Sequence, residues 1–256
     1  MRALCCAMGA AVVGLLCCFG AASAGAAQHP DFGGVWNWYV EPGKSPFAGP
    51  GAGPGLPLTP EGRKRVAAYQ ALVEPTSDNP GGHCLGSGMP ESMVISGGYP
   101  MEIVQTPEVM VILYEAHSEL RHVYLGGKII PLADRIPDRD GYSAAHWDGE
   151  TLVVETTALK EQEDQMYPHS DLARIVERYR ITSDAKGAKV LVANWTLTDP
   201  AFYTQPVVGE KKWVLDPKGI LLPYECNEEA WLDHLQSLQK PVAGKAAAAP
   251  ASETYK

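Results

Sequence analysis

Most of the signatures that would assign a chemistry directly are missing from this sequence. It has no Gly-x-Ser-x-Gly elbow, no His-Glu-x-x-His pair, no phosphate loop, no dinucleotide glycine fingerprint and no Cys-x-x-Cys. Any catalysis must therefore use scattered residues that folding brings together. Lys and Arg total 21 against 30 Asp and Glu, and the net charge is -9 with no basic cluster. A nucleic-acid or anionic-membrane partner would need such a cluster to neutralise phosphates. The apolar run from Ala3 to Phe19 is too short to read as a membrane span. No internal repeat is visible. Cysteine is nearly absent as well beyond the first residues: Cys5, Cys6, Cys17 and Cys18 sit at the start, and only Cys84 and Cys226 follow.

The start of the chain reads as an export signal over residues 1 to 27. Arg2 precedes the apolar run, and Ala22-Ser23-Ala24 or Ala24-Gly25-Ala26 offers a cleavage site. A lipoprotein site at Cys17 or Cys18 is the alternative, although the residues before them lack the small one that such a site wants. The mature protein is expected in the periplasm or secreted. In an oxidising compartment the two remaining thiols are expected to pair, Cys84 with Cys226. Closing so long a loop is worth on the order of 4 kcal/mol in the chain-entropy model. A nucleophilic Cys84 is the weaker reading, because GGHCLG lacks the context of any thiol-enzyme signature.

What is present reads as strands. From Met101 to Leu125, MEIVQTPEVMVILYEAHSELRHVYL falls into three apolar runs too short and too rich in Val, Ile and Tyr for helices. With Pro107-Glu108 as a two-residue turn and residues 116 to 118 as a three-residue turn, it is a β-meander. The pairs are then 104/111 and 102/113 in the first hairpin, and 113/121, 111/123 and 109/125 in the second. This register places Glu102, Val104, Val111, Leu113, Arg121 and Val123 on one face, an aliphatic floor that grades to a charged end. That face is expected to be the interior. Gln105, Met110, Ile112, Tyr114, His122 and Tyr124 fall on the other.

Residues 30 to 40 suit a first strand, and the Pro/Gly-rich residues 41 to 58 can form neither helix nor sheet ladder. Thr59 caps a helix that has Pro60 at its first position and ends by Glu74, before Pro75. Its stripe of Val66, Tyr69, Leu72 and Val73 is expected to pack on the outside of the sheet. Strands are expected at Ser143 to Trp147, Thr151 to Thr157, Leu172 to Thr182, Val190 to Leu197, Val207 to Leu215 and Ile220 to Cys226. A helix from Asn227 to Gln239 and a disordered tail from residue 241 follow. Leu172 to Thr182 could be helix or strand; strand is preferred because Ile175, Tyr179 and Ile181 share one parity and Arg174, Arg178 and Arg180 the other. Glu177 then lies on the apolar face. The expected fold is all-β: one domain over residues 28 to 240, an antiparallel up-and-down barrel with short helices near both ends. A barrel of this size can fill its interior or hold one small ligand.

Gly34-Val35-Trp36 on the first strand resembles the Gly-x-Trp signature of lipocalin and wider calycin barrels. The series PDFGGVW at 30 to 36, LTPEGR at 58 to 63, EIVQTP at 102 to 107, ILYE at 112 to 115, HWDGETLVVET at 146 to 156, PHSDL at 168 to 172, VERYR at 176 to 180 and YECNE at 224 to 228 is similar to a widespread set of exported bacterial proteins, most without an assigned function. The resemblance covers nearly the whole mature chain and implies a single barrel. Exported barrels of this kind include cofactor-free lyases of lignin-derived aromatic dimers. What the resemblance implies is thus a lyase that needs neither metal nor nucleotide.

The candidate site residues are charged groups expected to face inward. Glu102, Glu115 and Glu177 would each cost several kcal/mol to desolvate unpaired, so they need Arg121, Lys211 or hydrogen-bond donors beside them. Lys211 shares parity with Val207, Trp213 and Leu215, which points it inward. A carboxylate against an apolar wall can act as a base near neutral pH, and a flanking arginine can hold an oxyanion. A structural ion-pair network is the competing reading of the same set. His169 in YPHSD sits in the loop that feeds the Glu177 strand, as a possible general acid or base or as a residue that merely turns the loop. None of the histidines is paired at a strand spacing of two, so no metal site is expected. Tyr179 and Trp213 are the aromatics expected beside a hydrophobic or aromatic ligand. In the leading reading Glu177 or His169 removes a proton and Arg121 steadies negative charge. The alternatives are a carrier with no chemistry and a cell-envelope structural protein with a filled barrel.

Overall fold

The computed structural model describes residues 29–41, 55–76, 79–95, 98–126 and 129–239. The expected export signal, most of the Pro/Gly-rich stretch and the C-terminal tail lie outside the described residues. Nine strands close one barrel in chain order: β1 (Gly34–Trp38), β2 (Met101–Gln105), β3 (Val109–Tyr114), β4 (Glu119–Tyr124), β5 (Tyr142–Asp148), β6 (Thr151–Thr157), β7 (Arg174–Ser183), β8 (Lys189–Thr198) and β9 (Val207–Asp216). The last strand returns to the first, with Trp213 opposite Trp38. Along β7 the residues alternate as the period of two requires: Ile175, Glu177 and Tyr179 are buried, and Arg174 and Arg178 are exposed or half-exposed.

Two departures from the expected topology have local causes. β4 and β5 run parallel, joined through Val123–Ser143 and Tyr124–Ala144, which the sequence permits because the strands are separated by more than the roughly dozen residues a parallel connection needs. Ile220 to Glu225 is not a strand. β9 already pairs with β1, so the closed barrel has no free edge for a tenth strand.

The meander is present, and its first hairpin has the expected register, with Glu102 opposite Leu113 and Val104 opposite Val111. The second hairpin slips by one residue. Glu115 joins the turn ahead of the short 3-10 segment Ala116–Ser118, so Tyr114 lies opposite Glu119 and Ile112 opposite Arg121. A one-residue slip sends every side chain of a strand to the other face. The expected interior face of β2 and β3 is in fact the outer one: Val104 is exposed, whereas Met101, Ile103, Met110, Ile112 and Tyr114 are buried. On β4 the two differences cancel, and Arg121 points in with Val123.

Large side chains pack the interior, among them Trp36, Trp195, Trp213, Tyr114 and Tyr179. Residues 86 to 95 fold over one end of the barrel, with the single-turn helix α2 (Glu91–Val94) burying Met93 and the preceding Met89. Before it in the chain lies the longer helix α1 (Pro60–Val73). Its Thr59 cap accepts from the Gly62 amide at 3.0 Å and donates to the Ala201 carbonyl at 2.6 Å. Gly62 is required there, since a Cβ would lie 2.7 Å from the Phe202 carbonyl oxygen. The expected apolar stripe packs only in part: Val66 reaches the core but Leu72 is exposed. A disulfide joins Cys84 to Cys226, the first residue of helix α3 (Cys226–Gln239), and not to a strand.

Candidate functional site

Four adjacent strands build a charged centre inside the barrel. β4 supplies Arg121, β5 Ser143, β6 Thr156 and β7 both Glu177 and Tyr179, each at an inward position. Arg121 and Glu177 form a two-pronged ion pair, Nη1 to Oε2 at 2.9 Å and Nη2 to Oε1 at 2.7 Å, with exposures of 1% and 0%. The rest of the guanidinium donates to Ser143 Oγ from Nε at 3.0 Å and to Thr156 Oγ1 from Nη2 at 2.8 Å. The Tyr179 hydroxyl donates to Glu177 Oε2 at 2.6 Å. Burying two charges is costly, and such a pair persists only when geometry and added hydrogen bonds compensate, as they do here. Burial disfavours the charged guanidinium, but the Glu177 charge and hydrogen bonds outweigh it and hold the pKa of Arg121 well above its usual value. Burial, and then the Glu177 charge, push Tyr179 well above the usual phenol range, so it stays a donor. The buried Tyr114 hydroxyl lies near enough to Arg121 to feel its charge, yet makes no hydrogen bond of good geometry.

Lys211 on β9 contrasts with this centre. It is buried beside Ala193 of β8, its Nζ sits 3.3 Å from the centroid of the Trp38 ring, and it has no hydrogen-bond partner among the described residues. Burial alone lowers its pKa to about 7. Trp213, two residues on, stacks against Tyr179 with ring centroids 6.5 Å apart.

The remaining expected residues serve elsewhere. Glu102 is half-buried on the outer face opposite Val35, because the interior belongs to Met101 and Ile103. Glu115 leaves the sheet in the turn and accepts from the Leu222 amide at 2.8 Å, tying down the segment before α3. His169 is fully buried away from the Arg121–Glu177 pair's hydrogen bonds: Nδ1 lies 3.1 Å from the Ser170 carbonyl and Nε2 3.1 Å from that of Met89. Burial lowers its pKa against the opposing pull of those two carbonyls. It anchors the 86–95 segment that covers the barrel end.

That cover involves acids and a base that the sequence reading did not single out. Glu119 accepts from the Gly88 amide at 2.7 Å and from Ser92 Oγ at 2.5 Å. Arg139 donates to the Gly86 carbonyl at 2.9 Å and to Asp164 at 2.7 Å. Asp140 next to it is pushed up to about 8, first by burial and then by the Glu119 charge, with Arg121 partly opposing. Ser143 and Thr156 were legible in principle from parity, being two residues from Ala145 and Val154, but a neutral hydroxyl carries no signal of its own. Tyr114, expected on the outer face with Ile112, is buried with it.

Among the described residues no group of three or more His, Cys, Asp or Glu side chains converges as a metal site, and no helix is long and apolar enough to cross a membrane. No protein-family model matches the chain, and no curated protein matches it in sequence.

Proposed function

We propose that this protein is an exported, cofactor-independent carbon–carbon lyase acting on a hydrophobic aromatic small molecule of the lignin-derived dimer type. The observation that carries the reading is the Arg121–Glu177–Tyr179 group: a carboxylate, a phenol donor and a fixed positive charge in a barrel lined with aromatic rings. Glu177 takes the proton of a substrate hydroxymethyl O–H. The adjacent carbon–carbon bond breaks, the one-carbon fragment leaves as formaldehyde, and the electron pair left behind forms a carbon–carbon double bond as a neighbouring hydroxyl departs as water with the proton that Glu177 took up. Arg121 steadies the negative charge on oxygen. The Tyr114 hydroxyl, which makes no hydrogen bond of good geometry among the described residues, can turn toward a substrate oxygen. Export to the periplasm or medium accords with the Cys84–Cys226 disulfide, a bond that persists in oxidising compartments.

One observation favours a carrier without chemistry as the second reading: both Glu177 oxygens are already engaged, by Arg121 and Tyr179. Chelator-treated mature protein, incubated with aromatic dimers that carry a hydroxymethyl arm, separates the two. Formaldehyde release that is lost in a folded Glu177→Gln variant is the result expected of the lyase. Saturable quenching of tryptophan fluorescence with the dimer recovered unchanged replaces it with the carrier, and neither signal across the panel overturns both.

A further inference from the structure

Lys211 and Lys212 are neighbours in sequence with opposite surroundings. Lys212 points outward, lies 3.1 Å from Glu210, also pairs with Glu41, and has a raised pKa, chiefly through its hydrogen bond to Glu41. Lys211 points inward, is 6% exposed and makes no hydrogen bond among the described residues. An amine in an apolar wall with no counter-charge is desolvated at little gain, since the indole face of Trp38 offers only a weak attraction to its cation. Neither the Arg121–Glu177 centre nor the acids of the covering segment hydrogen-bond to it. Among the described residues no hydrogen-bond partner accounts for a lysine at this position.

We propose that Lys211 is a nucleophilic amine that forms an imine with an aromatic aldehyde or ketone bound against the Trp38, Trp213 and Tyr179 wall. The proposal goes beyond the lyase reading and stands whether or not Glu177 is catalytic. Nζ attacks the carbonyl carbon to give a carbinolamine. The carbinolamine oxygen then leaves as water, taking up the two protons that nitrogen gives up, and a carbon–nitrogen double bond remains; amine plus carbonyl yields imine plus water, with no oxidant or reductant. A pKa of about 7 leaves a large fraction of the amine unprotonated at neutral pH, with its lone pair available. The aromatic rings nearby suit an aryl carbonyl in particular: Trp38 lies under the amine, and Trp213, two residues along the strand, stacks on Tyr179.

The test is reductive trapping on the full mature protein. Benzaldehyde and sodium cyanoborohydride are added at pH 7 and the adducts are mapped by peptide mass spectrometry. Lys211 is expected to be benzylated about tenfold or more faster than Lys212, with a rate that rises through pH 7, because the free-base fraction of an ordinary lysine is about a thousandth there. Lys211→Met, checked for folding by circular dichroism, is expected to lose that adduct and keep the slow ones. Labelling of Lys211 no faster than Lys212, or no adduct at Lys211 while exposed Lys64 and Lys218 react, overturns the proposal. Benzoate binding that depends on Lys211 without any aldehyde adduct also overturns it, since the side chain would then be an ammonium anchor for a carboxylate.

Discussion

Arg121 and Lys211 are both cations drawn into the interior of one barrel, but the strands beside Arg121 supply it with Ser143, Thr156 and Glu177, whereas Lys211 meets Ala193 and the face of Trp38. The first charge is locked on by its partners, and the second is driven toward its neutral form by burial. Both side chains are buried, and the partners that each one meets separate the two outcomes. A satisfied ion pair gives the barrel a fixed polar centre, and an unsatisfied amine leaves reactivity in reserve.

The sharpest way to break the comparison is to strip Arg121 of its partner. Glu177→Ala leaves a buried guanidinium uncompensated and is expected to cost about 3–5 kcal/mol in urea unfolding, and adding Arg121→Met to that variant is expected to recover most of the loss. A loss below about 1 kcal/mol would mean that the pair is not a buried charge interaction.

Removing the lysine should act in the opposite direction. Lys211→Met is expected to stabilise the fold by about 3 kcal/mol at pH 7, because folding no longer forces an amine toward its neutral form. The sign follows from the depressed pKa. Between the folded value of about 7 and the unfolded lysine value of about 10.4, the unfolded chain binds more protons, so wild-type stability rises with pH across that window. The difference between wild type and Lys211→Met is therefore expected to shrink from pH 7 to pH 10 in unfolding titrations. A constant difference would place the amine's pKa at its ordinary value.

The smallest contrast concerns the two tyrosines. Tyr179→Phe removes a donor to Glu177 and is expected to cost about 2 kcal/mol, as bonds to charged groups do. Tyr114→Phe removes a hydroxyl that makes no hydrogen bond of good geometry among the described residues and is expected to change stability by less than about 1 kcal/mol, in either direction. Equal losses from the two would show that Tyr114 also bonds into the centre.

The strands were legible from the sequence because alternation is local. Ile175, Glu177 and Tyr179 on β7, and Lys211 and Trp213 on β9, share parity with apolar neighbours, and both sets do point inward. The meander was harder. Its breaks were visible, but the number of residues that the turn after Tyr114 consumes was not, and that count sets the register. Arg121 lies inside because the longer turn pairs it with inward Ile112, whereas Glu102 keeps its expected partner Leu113 and shares that residue's outer face. The cover over the barrel end was not legible at all: residues 86 to 95 carry no long periodic pattern, and their place is fixed by distant Glu119, Arg139 and His169.

By itself, the sequence determined the all-β barrel, the inward positions of Glu177 and Lys211, and the Cys84–Cys226 pair. Each follows from a local rule, a period of two or a shortage of alternative thiols. Which face of the meander is the interior, and which buried charge finds partners, was decided only by tertiary structure. Alternation leaves the two faces of a strand equivalent, and what distinguishes them is the set of side chains that arrives from the neighbouring strands when the barrel closes.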